Sequence, residues 1–297
     1  MTTTWTRDDV LVSADWLQKH LDDDGIRILD CRYYFDGRDP LEVYHNGHIP
    51  GAVLFNWNAE LNDPNSPVDF MLAPPEQVEA AMGKVGVGND TRIIAYDDEG
   101  GHFSSRVWLA LARYGQEDQL RILDGGWTKW EAEKRPISKE TSTAEPAAYS
   151  LDRSTSRPDI IATVDDVLAA TKDDKTKILD VRRMSEFTGE EVRANRGGRI
   201  PSSEHFLWQD NLNWGADRSF RTNAEIHALN EEGGIDEDTP VITYCQGGVR
   251  AALSALSLWM TGVKNVRVYD GSWAEWGNRD DLPIETGPAS DKKTSEQ

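Results

Sequence analysis

The chain has 297 residues and a formal net charge of −20, from 52 Asp and Glu against 32 Lys and Arg. That balance excludes a nucleic-acid or anionic-membrane binder, since both need basic patches, while 38% apolar residues and 11 Trp support packed cores over disorder. No apolar run approaches the ~18 residues of a membrane span, and Met1–Asp9 lacks the basic start and apolar core of a secretory signal, so a cytoplasmic location is expected.

In chain order, residues 1–136 form a first unit, carrying the apolar stretch Ile26–Cys31, the segment Asp90–Tyr96 and the motif Leu123-Asp-Gly-Gly-Trp127. Residues 137–158 are rich in Ser, Thr, Ala and Pro without a clear period and read as an extended linker. In the second unit, 159–288, Thr163 caps a helix over 164–170 with help from Asp166 three residues on. A strand is predicted at 178–181 and a helix at 223–230, ended by Gly233 and Gly234. Residues 241–244 form a central strand, 251–259 a helix and 266–269 another strand, and the polar residues 289–297 read as a disordered tail. Strands alternating with helices imply an α/β fold in each unit: a mainly parallel sheet flanked by helices on both faces. Ligands then bind beyond the carboxyl ends of the strands.

The two units are copies of one another, at an offset of roughly 150 residues. Ile28-Leu-Asp-Cys-Arg32 matches Ile178-Leu-Asp-Val-Arg182, Ile49-Pro50 matches Ile200-Pro201, and Asp90–Tyr96 matches Asp238–Tyr244. Leu123–Trp127 with Trp130 matches Tyr269–Trp273 with Trp276. A period of this length marks duplication of a whole domain. Asp180 and Arg182, with counterparts Asp30 and Arg32 in the other copy, read mainly as scaffold, and the paired tryptophans as packing. His48 reads as a structural hydrogen-bonding residue.

Cysteine chemistry separates the copies. Of the two cysteines, Cys31 sits in an apolar stretch and reads as a small core residue. Cys245 instead lies between a strand and a helix, in Tyr244-Cys-Gln-Gly-Gly-Val-Arg250, where the first copy has Asp97. Glycines at 247 and 248 allow a sharp turn and close approach of backbone N–H groups. Those groups and the helix start favour negative charge on sulfur, and the thiolate is the nucleophile. Cys245 is therefore the candidate catalytic residue, with Gln246, Gly247, Gly248, Val249 and Arg250 as candidate substrate-binding residues. Asp97 reads as a former active-site position that now makes structural hydrogen bonds.

Tyr44-His-Asn-Gly-His-Ile-Pro-Gly-Ala52, continued through Phe55, and Tyr269-Asp-Gly-Ser-Trp-Ala-Glu-Trp276 resemble the two signatures of the tandem-domain rhodaneses, the sulfurtransferase family. The resemblance covers about residues 8–287. It implies that Cys245 takes the outer sulfur of a donor such as thiosulfate, becomes a persulfide, and passes the sulfur to cyanide or a thiol. No metal or organic cofactor is implied. The expected partners are small sulfur-containing anions and thiol acceptors such as a thioredoxin-like protein, and 3-mercaptopyruvate is the alternative donor. The loop departs from both family types: thiosulfate enzymes carry basic residues in it and mercaptopyruvate enzymes a Gly-Ser-Gly arrangement. The position matched to a family substrate-binding arginine holds Glu186, leaving Arg182 and Arg183 as the nearby candidates.

Two rival readings are open to test. Related folds use a cysteine and an arginine in phosphatases and arsenate reductases, but with five intervening residues where this loop has four. A sulfur relay that serves one partner protein, without turnover on small acceptors, is the other. The lysine-poor surface, with 31 Asp and 21 Glu but only 11 Lys beside 21 Arg, resembles that of proteins working in concentrated salt.

Overall fold

A computed structural model describes residues 5–288; the predicted tail, 289–297, lies outside the described residues. Five short strands build the first sheet: β1 (Leu11–Val12), β2 (Ile26–Asp30), β3 (Val53–Leu54), β4 (Arg92–Tyr96) and β5 (Leu120–Leu123). The second repeats the plan with β6 (Ile161–Ala162), β7 (Lys177–Asp180), β8 (Glu204–His205), β9 (Val241–Tyr244) and β10 (Val266–Tyr269). Strand orders are β1-β5-β4-β2-β3 and β6-β10-β9-β7-β8, with every pairing parallel. Helices flank both sheets, as parallel strands joined by crossovers require.

The local rules act as the residue types dictate. Thr163 caps the helix Val164–Ala170 in a reciprocal box with Asp166. The helix expected to end at residue 230 runs on to Glu232, and Gly233 is its C-cap. The helix after Cys245 spans Val249–Met260, so Val249 and Arg250 belong to its first turn.

In each sheet a buried aspartate organises the carboxyl edge. The Tyr96 hydroxyl donates to Asp30 and that of Tyr244 to Asp180, both at 2.6 Å. Arg32 and Arg182 clasp the same carboxylates through Nε and Nη2. Each guanidinium then lies over a tryptophan, Trp127 or Trp273, 4.7 Å from the ring centroid. Cys31 is fully buried, and burial, with the charges of Asp97 and Asp30, pushes its thiol well up, which makes it inert.

The repeats are joined through a continuous apolar interface. The helix His102–Ala112 is buried along its whole length and packs against Val249–Met260. Trp5 stands edge-on to Trp108 and Trp259, at 4.8 and 5.0 Å. One fully buried ion pair crosses the interface, Arg106 Nη1 to Asp270 Oδ1 at 2.6 Å. Residues 137–158 lie along the first repeat: Ser138 bridges His48, Ala147 N–H donates to the Gly83 carbonyl, and Leu151 N–H donates to Glu79.

Candidate active site

Cys245 follows β9 directly, at the carboxyl end of the central strand, with 1% of its surface exposed. Ser272 sets the shape of its loop. Its hydroxyl oxygen accepts from the N–H groups of Cys245 and Gly248, each at 3.1 Å, and its proton goes to the Tyr269 carbonyl. Gly248 adopts φ +76°, and a Cβ on Gly247 would meet the Phe70 ring at 2.5 Å, so neither position accepts a side chain without strain.

The first repeat shows what such a loop holds. The Asp97 carboxylate accepts from the N–H groups of Glu99, Gly101, Phe103 and Ser104 and from the Ser104 hydroxyl, at 2.8–3.0 Å. The loop after Cys245 reaches its N-cap glycine one residue sooner, at Gly248 against Gly101, and the N–H groups of Gly247, Val249 and Ala251 there have no acceptor among the described residues. One cradle is filled by its own side chain, and the other offers its amides to a ligand. Among the expected cradle residues Gly248 has its N–H committed to Ser272, and Ala251 joins the set in its place.

The charged shell differs from expectation. Arg250 does not stand free as an anion anchor: its guanidinium grips Glu186 at 2.7 and 3.0 Å. Burial alone would raise the Glu186 carboxyl, but the hydrogen bonds and charge of Arg250, aided by Arg182, pull it down to about 2. Arg183 and Arg193 also approach Glu186, at 3.3 and 3.5 Å, with side chains 55% and 40% exposed. Arg183 is also paired with Glu191, and Glu99 lines the same cleft. Three guanidinium groups at the mouth thus face three carboxylates, with Arg193 in the longest of the pairs, 3.5 Å from Glu186. Arg182 is a correction to the substrate-binding set. It is buried, and its donors are committed to Asp180 and the Gly198 carbonyl, so it holds the scaffold and does not line the cleft.

A cleft of about 310 Å³ opens over Cys245, lined by Gln246, Gly247, Val249, Arg250, Arg183, Arg193, Trp208 and Gln209 from the second repeat and by Phe35, Phe70, Glu99 and His102 from the first. Arg193, Trp208, Gln209 and the four residues of the first repeat are absent from the sequence-based set. The Arg193 carbonyl accepts from the Gln246 side chain, which ties that segment to the loop. A second cavity of about 400 Å³ lies at the opposite, amino ends of β9 and β10, but its Arg267, Lys264 and Arg157 are all paired with carboxylates. Among the described residues no group of three or more His, Cys, Asp and Glu side chains is placed to hold a metal, and no helix is long and apolar enough to cross a membrane.

Comparison with known proteins places this geometry in context. The model of the rhodanese-like domain matches residues 13–133 and again 163–279. The 3-mercaptopyruvate sulfurtransferase of Escherichia coli (strain K12) is 37% identical over 292 residues, 96% of this chain and 99% of that protein. A putative thiosulfate sulfurtransferase of Haloferax volcanii is 33% identical over 290 residues, 94% of this chain and 97% of that protein. The crystal structure of SseA from Escherichia coli, described as a 3-mercaptopyruvate sulfurtransferase with the rhodanese fold, aligns with a TM-score of 0.78 at 33% identity, covering 92% of this chain and 100% of that chain.

Proposed function

The chain belongs to the rhodanese-like family as a tandem-domain sulfurtransferase, and from that premise we propose that it carries sulfur as a persulfide on Cys245. The second repeat, 159–288, is the catalytic unit in this reading, and the first, 1–136, with Asp97 in place of the cysteine, does not form a persulfide. The Cys245 thiolate attacks the outer sulfur of thiosulfate, the S–S bond breaks, and its electron pair leaves with sulfite. The new outer sulfur carries negative charge and lies among the uncommitted N–H groups of Gly247, Val249 and Ala251. Cyanide or a thiol then takes that sulfur and regenerates the thiolate, a two-step course that predicts ping-pong kinetics.

The observation that carries this reading is the contrast between the two loops: one cradle answered by Asp97, the other with free amides beside a thiol. Arg193, 40% exposed and held to Glu186 only at 3.5 Å, is the guanidinium best placed to meet an anionic donor. A second reading, 3-mercaptopyruvate as donor, is favoured by the half-exposed pair Arg183 and Arg193, which suits a carboxylate, and by the 37% identical relative of that name. Thiol acceptors, including a thioredoxin-like protein, fit the cleft's chemistry, and a free reactive thiol fits a cytoplasmic setting.

Intact mass tests the proposal. Incubation with thiosulfate should add one sulfur atom at Cys245, and cyanide should remove it; the same run with 3-mercaptopyruvate ranks the donors. No sulfur on Cys245 from either donor overturns the reading. A persulfide that forms but never turns over with small acceptors favours relay to one partner protein. We also read the acidic surface as an adaptation to concentrated salt: unfolding temperature should rise from dilute buffer to molar KCl, and a flat or falling value ends that reading.

A further inference from the structure

The loop that lost its nucleophile still places one basic nitrogen at the working cleft. His102 opens the helix His102–Ala112 just after the left-handed glycine Gly101, the place that Val249 takes after Gly248 in the other repeat. It is 6% exposed and lines the cleft that holds Cys245. Its ring is fixed against Phe103 and against Trp208 of the second repeat, at centroid distances of 4.4 and 4.5 Å. Nδ1 lies 2.7 Å from Glu99 Oε2, so Nδ1 carries a proton and the neutral ring keeps its lone pair on Nε2. Nε2 is buried and meets no hydrogen-bond partner among the described residues. Burial would raise the Glu99 carboxyl, but the hydrogen bond with His102, joined by the charges of Arg218 and Arg38, outweighs it and holds Glu99 below its ordinary value. A ring needed only for packing between Phe103 and Trp208 has no use for an ionised carboxylate on one nitrogen and a free lone pair on the other.

We propose that His102, supplied by the silent repeat, is a catalytic acid–base residue for thiol acceptors, with Glu99 as its positioning partner. The inference rests on the persulfide reading of Cys245. An acceptor thiol entering the cleft gives its S–H proton to Nε2, and the thiolate attacks the outer sulfur of the Cys245 persulfide anion. The S–S bond breaks, its electron pair returns to Cys245 as thiolate, and the imidazolium hands its proton to the persulfide now carried by the acceptor. Atoms and charge balance within this half-reaction, and His102 ends neutral. Glu99 steadies the imidazolium between the two transfers. Cyanide, already an anion, needs neither transfer.

That difference between acceptors is the test. Full-length His102→Gln should lose about 10²-fold in kcat with thiosulfate and dithiothreitol. It should stay within about 2-fold of wild type with cyanide supplied above its own pKa, where acid–base help has nothing to act on. Glu99→Gln should lower kcat with the thiol while leaving turnover with cyanide in place, the acceptor split expected of a residue that positions the ring. Intact mass checks that the variant still takes one sulfur from thiosulfate. An equal loss with both acceptors, or no loss with the thiol, overturns the proposal while the persulfide stands. A wild-type protein that takes up no sulfur overturns the persulfide reading and this proposal with it.

Discussion

The loops after β4 and β9 both run from a strand end to a left-handed N-cap glycine, over five residues in one repeat and four in the other, yet one is electrostatically complete and the other is not. Asp97 brings its own negative charge to four backbone donors and a hydroxyl. Cys245 leaves the matching donors to whatever charge the reaction creates. A cradle built for an anion can therefore be retired by tethering a carboxylate inside it. It also follows that the empty cradle is costly in the resting protein and gains its partner only with the persulfide, the condition for differential stabilisation during catalysis.

Four substitutions break or sharpen that comparison. Cys245→Ser keeps the loop and removes the nucleophile: transfer from thiosulfate should fall at least about 10³-fold with unchanged thermal unfolding, and retained transfer would end the assignment. Asp97→Ala leaves four buried N–H groups without an acceptor. At about 1 kcal/mol each, urea unfolding should show a loss of about 3–4 kcal/mol, and a loss below about 1 kcal/mol would mean that the silent cradle needs no anion.

Glu186→Gln tests how far the active loop's guanidinium shell is held in check. With Arg250 released, KM for thiosulfate should drop about 3–10-fold, while stability at neutral pH falls by about 1–2 kcal/mol. Glu186 is depressed to about 2 in the folded chain against an ordinary value of about 4.3. Its stabilisation is therefore complete above that ordinary value and lost as pH falls through 2, so the variant should show a flatter acid unfolding curve in that window.

Asp98, in the silent loop, has the opposite sign. Burial, reinforced by the Asp97 charge and opposed by the Tyr34 hydrogen bond, raises its carboxyl to about 6. Folding is then favoured below the ordinary aspartate value of about 3.9, and that advantage is lost as pH rises through 6. Asp98→Asn should gain about 1 kcal/mol at pH 7 relative to wild type, discounted for partial exposure. Thermal unfolding at pH 5 and pH 7 reads this directly, and equal shifts at both would remove Asp98 as the cause.

The duplicated frame is legible in the sequence because its markers are local: a strand ending in Asp-x-Arg, a Tyr one step before the loop, a Trp pair after an Asp-Gly. Cys245 stands out because its twin is a carboxylate, which no packing rule would exchange for a thiol. What is illegible comes from chain segments far apart. Glu186 reads as the loss of a binding arginine, and only the fold brings it onto Arg250, 64 residues later. Phe70, Glu99 and His102 reach the cleft across the interface between repeats, so no spacing along the second repeat announces them. Arg182 could have been set aside more firmly, since its twin Arg32 faces no thiol.

The Arg106–Asp270 pair has a consequence for the history of the molecule. Asp270 belongs to the motif that shapes the Cys245 loop, yet its two carboxylate oxygens take hydrogen bonds from Arg106 and from the Leu72 N–H, both in the first repeat. Arg106 in turn donates to the carbonyl of Phe70, the residue that presses on Gly247. The two copies have thus exchanged structural duties, and a gene truncated between them would expose an apolar helix and strip Asp270 of both its partners. The duplication has become a ratchet: the half without the thiol can drift in its chemistry, but it can no longer be discarded.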